Sequence, residues 1–161
     1  MSLITRTPVL WGLFVLMIAA GAGFGFFSTA VGGQYLDMLS NPAEARALLA
    51  GLTPPQRSAH FWVTVLLDTA FPIAFGLLFA GLAWRFFGKW GPLAALPGFA
   101  VLIFDLTENT IQALALSGAV DVLDAKAWVT PMKMYLFYAA ALIAVAAVLI
   151  ALYRVLTKKK A

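Results

Sequence analysis

Four stretches of the chain stay apolar for about as long as a helix needs to cross a bilayer: Pro8–Ser28, Phe61–Phe87, Pro92–Leu116 and Pro131–Leu156. A hydrocarbon core about 30 Å thick takes about 20 such residues at 1.5 Å each. The pattern predicts an all-α fold, a four-helix transmembrane bundle forming a single domain over residues 1–161. Only the first connection is long. Within it, "NPAEARALLAG" reads as a short interfacial helix, with Asn41 as N-cap, Pro42 in the first turn, Glu44 three residues after the cap and Gly51 at the end. Leu48, Leu49 and Leu52 give that helix an apolar side, which suits a place on the membrane surface or a lid over the bundle. Thr53 in "TPPQ" is expected to cap the second long helix, and Thr130 with Pro131 to cap and begin the fourth.

Polar positions inside the apolar stretches are few, and the densest group falls in "FDLTENTIQ", residues 104 to 112. The 13 residues Pro92–Phe104 that precede Asp105 are too few to cross the bilayer, which places Asp105 and Glu108 within it. Asp105, Glu108, Asn109 and Gln112 follow i, i+3, i+4, i+7 spacing and share one helical face, which must turn to the bundle interior. In the second stretch, Pro72 has no N–H for the carbonyl of Asp68, so one residue offers both a carboxyl group and a freed backbone acceptor. Water, a proton or a polar ligand group fits there; so does a plain kink whose carbonyl is met by a neighbouring Ser or Thr. Gly21, Gly25 and Ser28 line one side of the first helix, a small-residue stripe that serves packing within the chain, a homodimer, or a ligand pressed against bare backbone. Ala140, Ala144 and Ala147 predict close packing of the fourth helix.

Composition agrees: 63% apolar and 11% charged residues mark an integral membrane protein, since soluble domains have about 25% charged. The chain contains no cysteine, which excludes thiol relays and thiolate metal sites, and one histidine, His60, which excludes histidine-rich di-iron chemistry. His60, at a loop–helix junction, reads as a capping or interfacial residue. The basic balance, a pI near 9.6, is topogenic and does not point to nucleic acid. Arg6, Arg85, Lys89, Arg154 and Lys158–Lys160 fall on one side of a four-helix arrangement. Arg46, Arg57 and Lys126 share the other side with Asp37, Glu44, Asp121 and Asp124. The positive-inside rule then puts both termini in the cytoplasm, with Lys158–Lys160 anchoring the last helix against anionic headgroups. A signal peptide is the competing reading of the N-terminus, with Arg6 before the apolar run and small residues at Ala20–Gly23. The run continues through Phe24, Phe26 and Phe27, which favours a retained helix.

Each intramembrane acid costs about 2.5–3.5 kcal/mol on insertion scales, against about 0.3–0.6 gained per large apolar residue. Such acids mark a functional centre by default, although hydrogen bonding between helices also uses them. Asp68, Asp105 and Glu108 are the candidate catalytic groups. Asn109, Gln112, Lys133, Tyr135, Thr64 and Gly25 are the candidate ligand-binding residues. Carboxylates of this kind suit Mg or Ca, but the D-x-x-E-N stretch is a weak metal signal, and no metal or cofactor is assigned.

Four helices with cytoplasmic ends, Pro54–Pro55 before the second span, "FPIA" at Phe71–Ala74 after an acid, and the lysine tail resemble the EXPERA group, which includes sterol isomerases and the sigma-2 receptor. The resemblance implies a pocket for a sterol-like or cationic amphipathic ligand that the acids protonate or pair with. The chain departs from the group in having no acid in its first span and in the spacing of Asp68 from the proline. Three functions stay open: an intramembrane pocket for a lipophilic or amphipathic small molecule, with acid–base isomerase-type chemistry if it is an enzyme; a proton- or cation-coupled small transporter; and a non-catalytic subunit or assembly factor.

Overall fold

The computed structural model describes residues 3–158, and among them no strand occurs. Lys159 and Lys160 lie outside the described residues, as does the side chain of Lys158. Helices α1 (Thr7–Phe27), α2 (Pro42–Gly51), α3 (Pro54–Trp62), α4 (Asp68–Phe86), α5 (Gly91–Ser117) and α6 (Lys126–Lys158) follow one another along the chain. Four helical stretches are long and apolar enough to cross a membrane: Thr7–Phe27, Pro54–Phe86, Gly88–Ser117 and Leu123–Thr157. By this composition the chain is a multi-pass membrane protein.

The helix starts expected at Asn41 and Thr53 agree closely with the observed ones, because their caps are local. Asn41 Oδ1 accepts from the Ala43 N–H at 2.9 Å, and Gln56 Oε1 accepts from the Thr53 N–H at 3.0 Å, fixing the starts of α2 and α3. The start expected at Thr130 and Pro131 differs. Helix α6 begins at Lys126 and runs through Pro131, so Thr130 is not its N-cap. Pro131, the sixth residue of α6, has no N–H for the Ala127 carbonyl, and the Thr130 hydroxyl donates to Glu108.

Helices α3 and α4 form one continuous rod joined by a π-helical turn, Val63–Leu67, in which the Asp68 N–H reaches back to the Val63 carbonyl. A π turn carries more residues than an α turn and rotates the face presented by everything after it, a device frequent at functional sites. Here it falls immediately before Asp68. Helix α4 is the centre of the molecule, packed on α5, α1 and α6, while α5 also packs on α6. The tightest approach between α4 and α5 is backbone to backbone. A Cβ on Gly98 would stand 2.8 Å from the Ala80 nitrogen and 2.9 Å from the Gly76 carbonyl oxygen. The stripe on α1 does less, since a Cβ on Gly21 would meet only Phe71 at 3.7 Å and one on Gly25 would meet nothing. Ala140, Ala144 and Ala147 are buried.

The segment between α1 and α3 closes one end of the molecule. Leu36, Leu39 and Ala45 join Ile111, Ala115, Leu116, Leu123 and Val129 in one apolar cluster, against which Leu48 and Leu49 of α2 and Leu52 just after it pack. The short helix is therefore a lid. Arg46 latches it to the α5–α6 connection through Asp121 at 2.7 Å and Asp124 at 2.9 Å. Arg57 donates to the carbonyls of Leu116 and Ala115 at 2.7 and 2.8 Å, a cation at the C-terminus of α5. Buried His60 accepts the Leu36 N–H on Nε2 at 3.3 Å, which ties the loop to α3 from within instead of facing an interface.

Candidate functional site: a buried acidic centre

Beneath the lid, the polar face of α5 meets the π turn, the start of α6 and one loop acid. Asp105, Glu108, Asn109 and Gln112 are all buried, as are Thr64, Asp68, Lys126, Thr130 and Lys133. The 3.6-residue period explains the first four: one polar stripe on a helix with apolar neighbours turns to the only place where its groups find partners.

Glu108 is the hub. Its Oε1 receives both the Lys126 ammonium and the Thr130 hydroxyl, while its Oε2 lies 2.6 Å from Lys133 Nζ. Lys133 also pairs with Asp37 and stands 3.9 Å from Asp105 Oδ2. Asn109 Nδ2 donates to the backbone carbonyl of Asp68, the group left free by Pro72. The kink is thus satisfied by an amide from the neighbouring helix, not by a Ser or Thr. Gln112 Nε2 lies 3.4 Å from Asp37 Oδ1.

The carboxyl group of Asp68 makes no hydrogen bond or ion pair with a described residue, although Asp68 is 6% exposed. One carboxylate oxygen from each of Asp37, Asp68 and Asp105 lies within 4.8 Å of the others. Three further buried acceptors, Asp105 Oδ1, Asn109 Oδ1 and Gln112 Oε1, have no hydrogen-bond partner among the described residues. The centre is rich in acceptors and short of donors.

Of the residues singled out in the sequence, Asp68, Asp105, Glu108, Asn109, Gln112 and Lys133 come together here, and Thr64 is buried one turn before Asp68 in the π segment. Two do not join them. Tyr135 is 72% exposed on α6, and Gly25 is exposed on α1 with no neighbour at its Cα hydrogen. Asp37, Lys126 and Thr130 belong to the centre and were not singled out. Asp37 sits in a loop, where periodicity carries no signal, and Lys126 and Thr130 read as a connection because Pro131 suggested the helix start. The signal was available for Asp37, a lone acid flanked by apolar residues in "YLDML".

No protein-family model, no curated protein and no solved structure matches the chain.

Proposed function

We propose that the chain is a four-helix transmembrane bundle with both termini in the cytoplasm. We further propose that it takes up cationic charge, as protons or as a metal ion, at the buried acidic centre, as the binding step of a small proton- or cation-coupled transporter. One observation carries this reading: four carboxylates, Asp37, Asp68, Asp105 and Glu108, face only two ammonium groups, Lys126 and Lys133. Two negative charges are left over where water is scarce, and an unpaired charge in such a place is strongly unfavourable. Either protons or a bound cation must supply the difference.

The position of the centre supports uptake from the outer side. Trp62 and Trp128 are exposed at one end of the long helices, and Trp11, Trp84 and Trp90 toward the other, as two interfacial belts. Trp62 and Trp84 are separated by roughly 33 Å of helix, one hydrocarbon thickness. Asp68 then lies roughly 9 Å inside the outer belt, and Lys133 roughly 8 Å. Asp37 arrives from the loop above, so the lid itself contributes one of the acids.

Reconstituted liposomes test the proposal. With an interior pH dye or ion indicator, the wild type is expected to move protons or cations down an imposed gradient, and Asp105→Asn to abolish the movement. Wild-type liposomes no more permeable than protein-free ones would sink it.

A second reading has its own observation. A cavity of about 920 Å³ opens between α1, α4 and α6, lined by Leu10, Phe14, Met17, Phe79 and Val148 with Arg85 among its walls, and none of the four acids lines it. A lipophilic or amphipathic small molecule fits that space, as the EXPERA-like layout suggests. Mass spectrometry of co-purified lipid tests it, with Ala144→Phe expected to expel the molecule.

A further inference from the structure

We infer that the acidic centre binds one hard divalent metal ion, of the Mg²⁺, Ca²⁺ or Mn²⁺ kind, between Asp37, Asp68 and Asp105. The inference rests on the cation-binding reading above and narrows the cation.

Three features agree on it. The first is spacing. Oxygens that share a cation lie about 2.0–2.6 Å from it, and hence a few ångströms from one another; one oxygen from each of the three acids meets that condition within 4.8 Å. The acids come from separate segments, the loop after α1, the residue following the π turn, and the middle of α5. No local turn forces them together.

The second is the set of unpartnered acceptors. Gln112 is fully buried, its Nε2 lies 3.4 Å from Asp37 Oδ1, and its Oε1 has no donor among the described residues. Asp105 Oδ1 is likewise buried and unpartnered, although its other oxygen faces Lys133. Acceptors without donors are what a cation and its waters satisfy.

The third is ligand type and charge. Every group offered is a hard oxygen. The chain has no cysteine, and its one histidine is not part of the group that could hold an ion, so borderline and soft metals find no thiolate or imidazole here. The leftover charge of two is that of a single divalent ion. Lys133 stays beside it, held by Glu108 and spacing the carboxylates. Because Asp37 belongs to the lid segment, the ion joins that segment to α4 and α5.

The full-length protein in detergent, stripped with EDTA, is titrated with Mn²⁺ while electron paramagnetic resonance follows the free ion. One saturable site per chain is expected, displaced by Mg²⁺ or Ca²⁺ and lost in Asp68→Asn and Asp105→Asn. Gln112→Leu should weaken it by roughly 10- to 100-fold, as groups supporting a metal ligand do. Asp121→Asn, in the exterior latch, should leave it unchanged. Absence of saturable binding to the wild type overturns the inference, as does equal binding to Asp68→Asn or, should the buried variants fail to fold, to the loop variant Asp37→Asn. Infrared spectroscopy separates the two proposals. Without Mn²⁺ binding, a protonated-carboxyl band that disappears in Asp105→Asn means that protons supply the charge and only the metal falls. If neither signal is present, both proposals fall.

Discussion

At the scale of single residues, the centre contains two different kinds of polar group. Glu108 and Lys126 are a fully buried ion pair, and removing one partner strands the other. Glu108→Gln should therefore destabilise the protein by about 3–5 kcal/mol, whereas Glu108→Gln with Lys126→Met should recover most of the loss. Unfolding titrations in SDS measure both variants; additive losses would show that the pair is not the unit. Asn109 does another job, supplying the donor that Pro72 takes from the Asp68 carbonyl. Asn109→Ala should cost about 1–3 kcal/mol, the penalty of an unmet buried acceptor. In a Pro72→Ala background the restored backbone N–H should shrink that cost. An unchanged cost would assign Asn109 to ligand binding alone. The leftover acids Asp68 and Asp105 have no such structural return, which is why the function is placed on them.

The elements show what a pattern of apolar positions reveals and what it hides. The polar stripe of α5 was legible, because a buried helix with four polar residues at i, i+3, i+4 and i+7 has one inward orientation. The cap of α2 was legible for the same local reason. Hidden were the π turn, since a five-residue change of pitch leaves no mark in hydrophobicity, and the true start of α6, where Pro131 imitated a first-turn proline. Also hidden was the meeting of Gly76 with Gly98, which depends on two helices at once, while the more visible glycines of α1 face outward. Gly98→Val should thus destabilise by about 1–3 kcal/mol or more, through forced separation of α4 from α5, while Gly25→Val should be nearly silent. Thermal unfolding of the two variants in one detergent decides between the two stripes. The lid has its own pH response. Hydrogen bonds from Arg46, and then from the Leu123 N–H, hold Asp121 below its ordinary value of 3.8. A depressed acid stabilises above its unfolded-state pKa and ceases to do so as pH falls through the folded one. Protection of α2 against hydrogen exchange, relative to the intrinsic rate at each pH, should be flat from neutral pH down to that ordinary value and fall below it, and Asp121→Asn should lower it already at neutral pH. Because the pair is exposed, the change should be small.

For the whole molecule, the decisive quantity is which side the lid faces. The end carrying α2 presents Glu44, Asp121 and Asp124 with Arg46 neutralised among them, whereas Arg85 and Lys89 are at the opposite end. Arg85 donates to the Thr5 carbonyl at 3.3 Å and to Thr7 Oγ1 at 2.8 Å, and Arg154 to the Phe86 carbonyl at 3.3 Å, so basic side chains also tie the helix ends together there. With that basic end on the cytoplasmic side, as proposed, the acidic centre would lie toward the outside. The absence of cysteine makes this directly measurable, since any introduced thiol is the only one in the chain. Ala47→Cys lies on the exposed side of α2 and Lys89→Cys in the turn at the other end. In intact cells a membrane-impermeant maleimide should label the first and not the second, and permeabilisation should make both reactive. The reverse pattern would put the lid in the cytoplasm, and the cation reaching Asp37, Asp68 and Asp105 would then have to come from within.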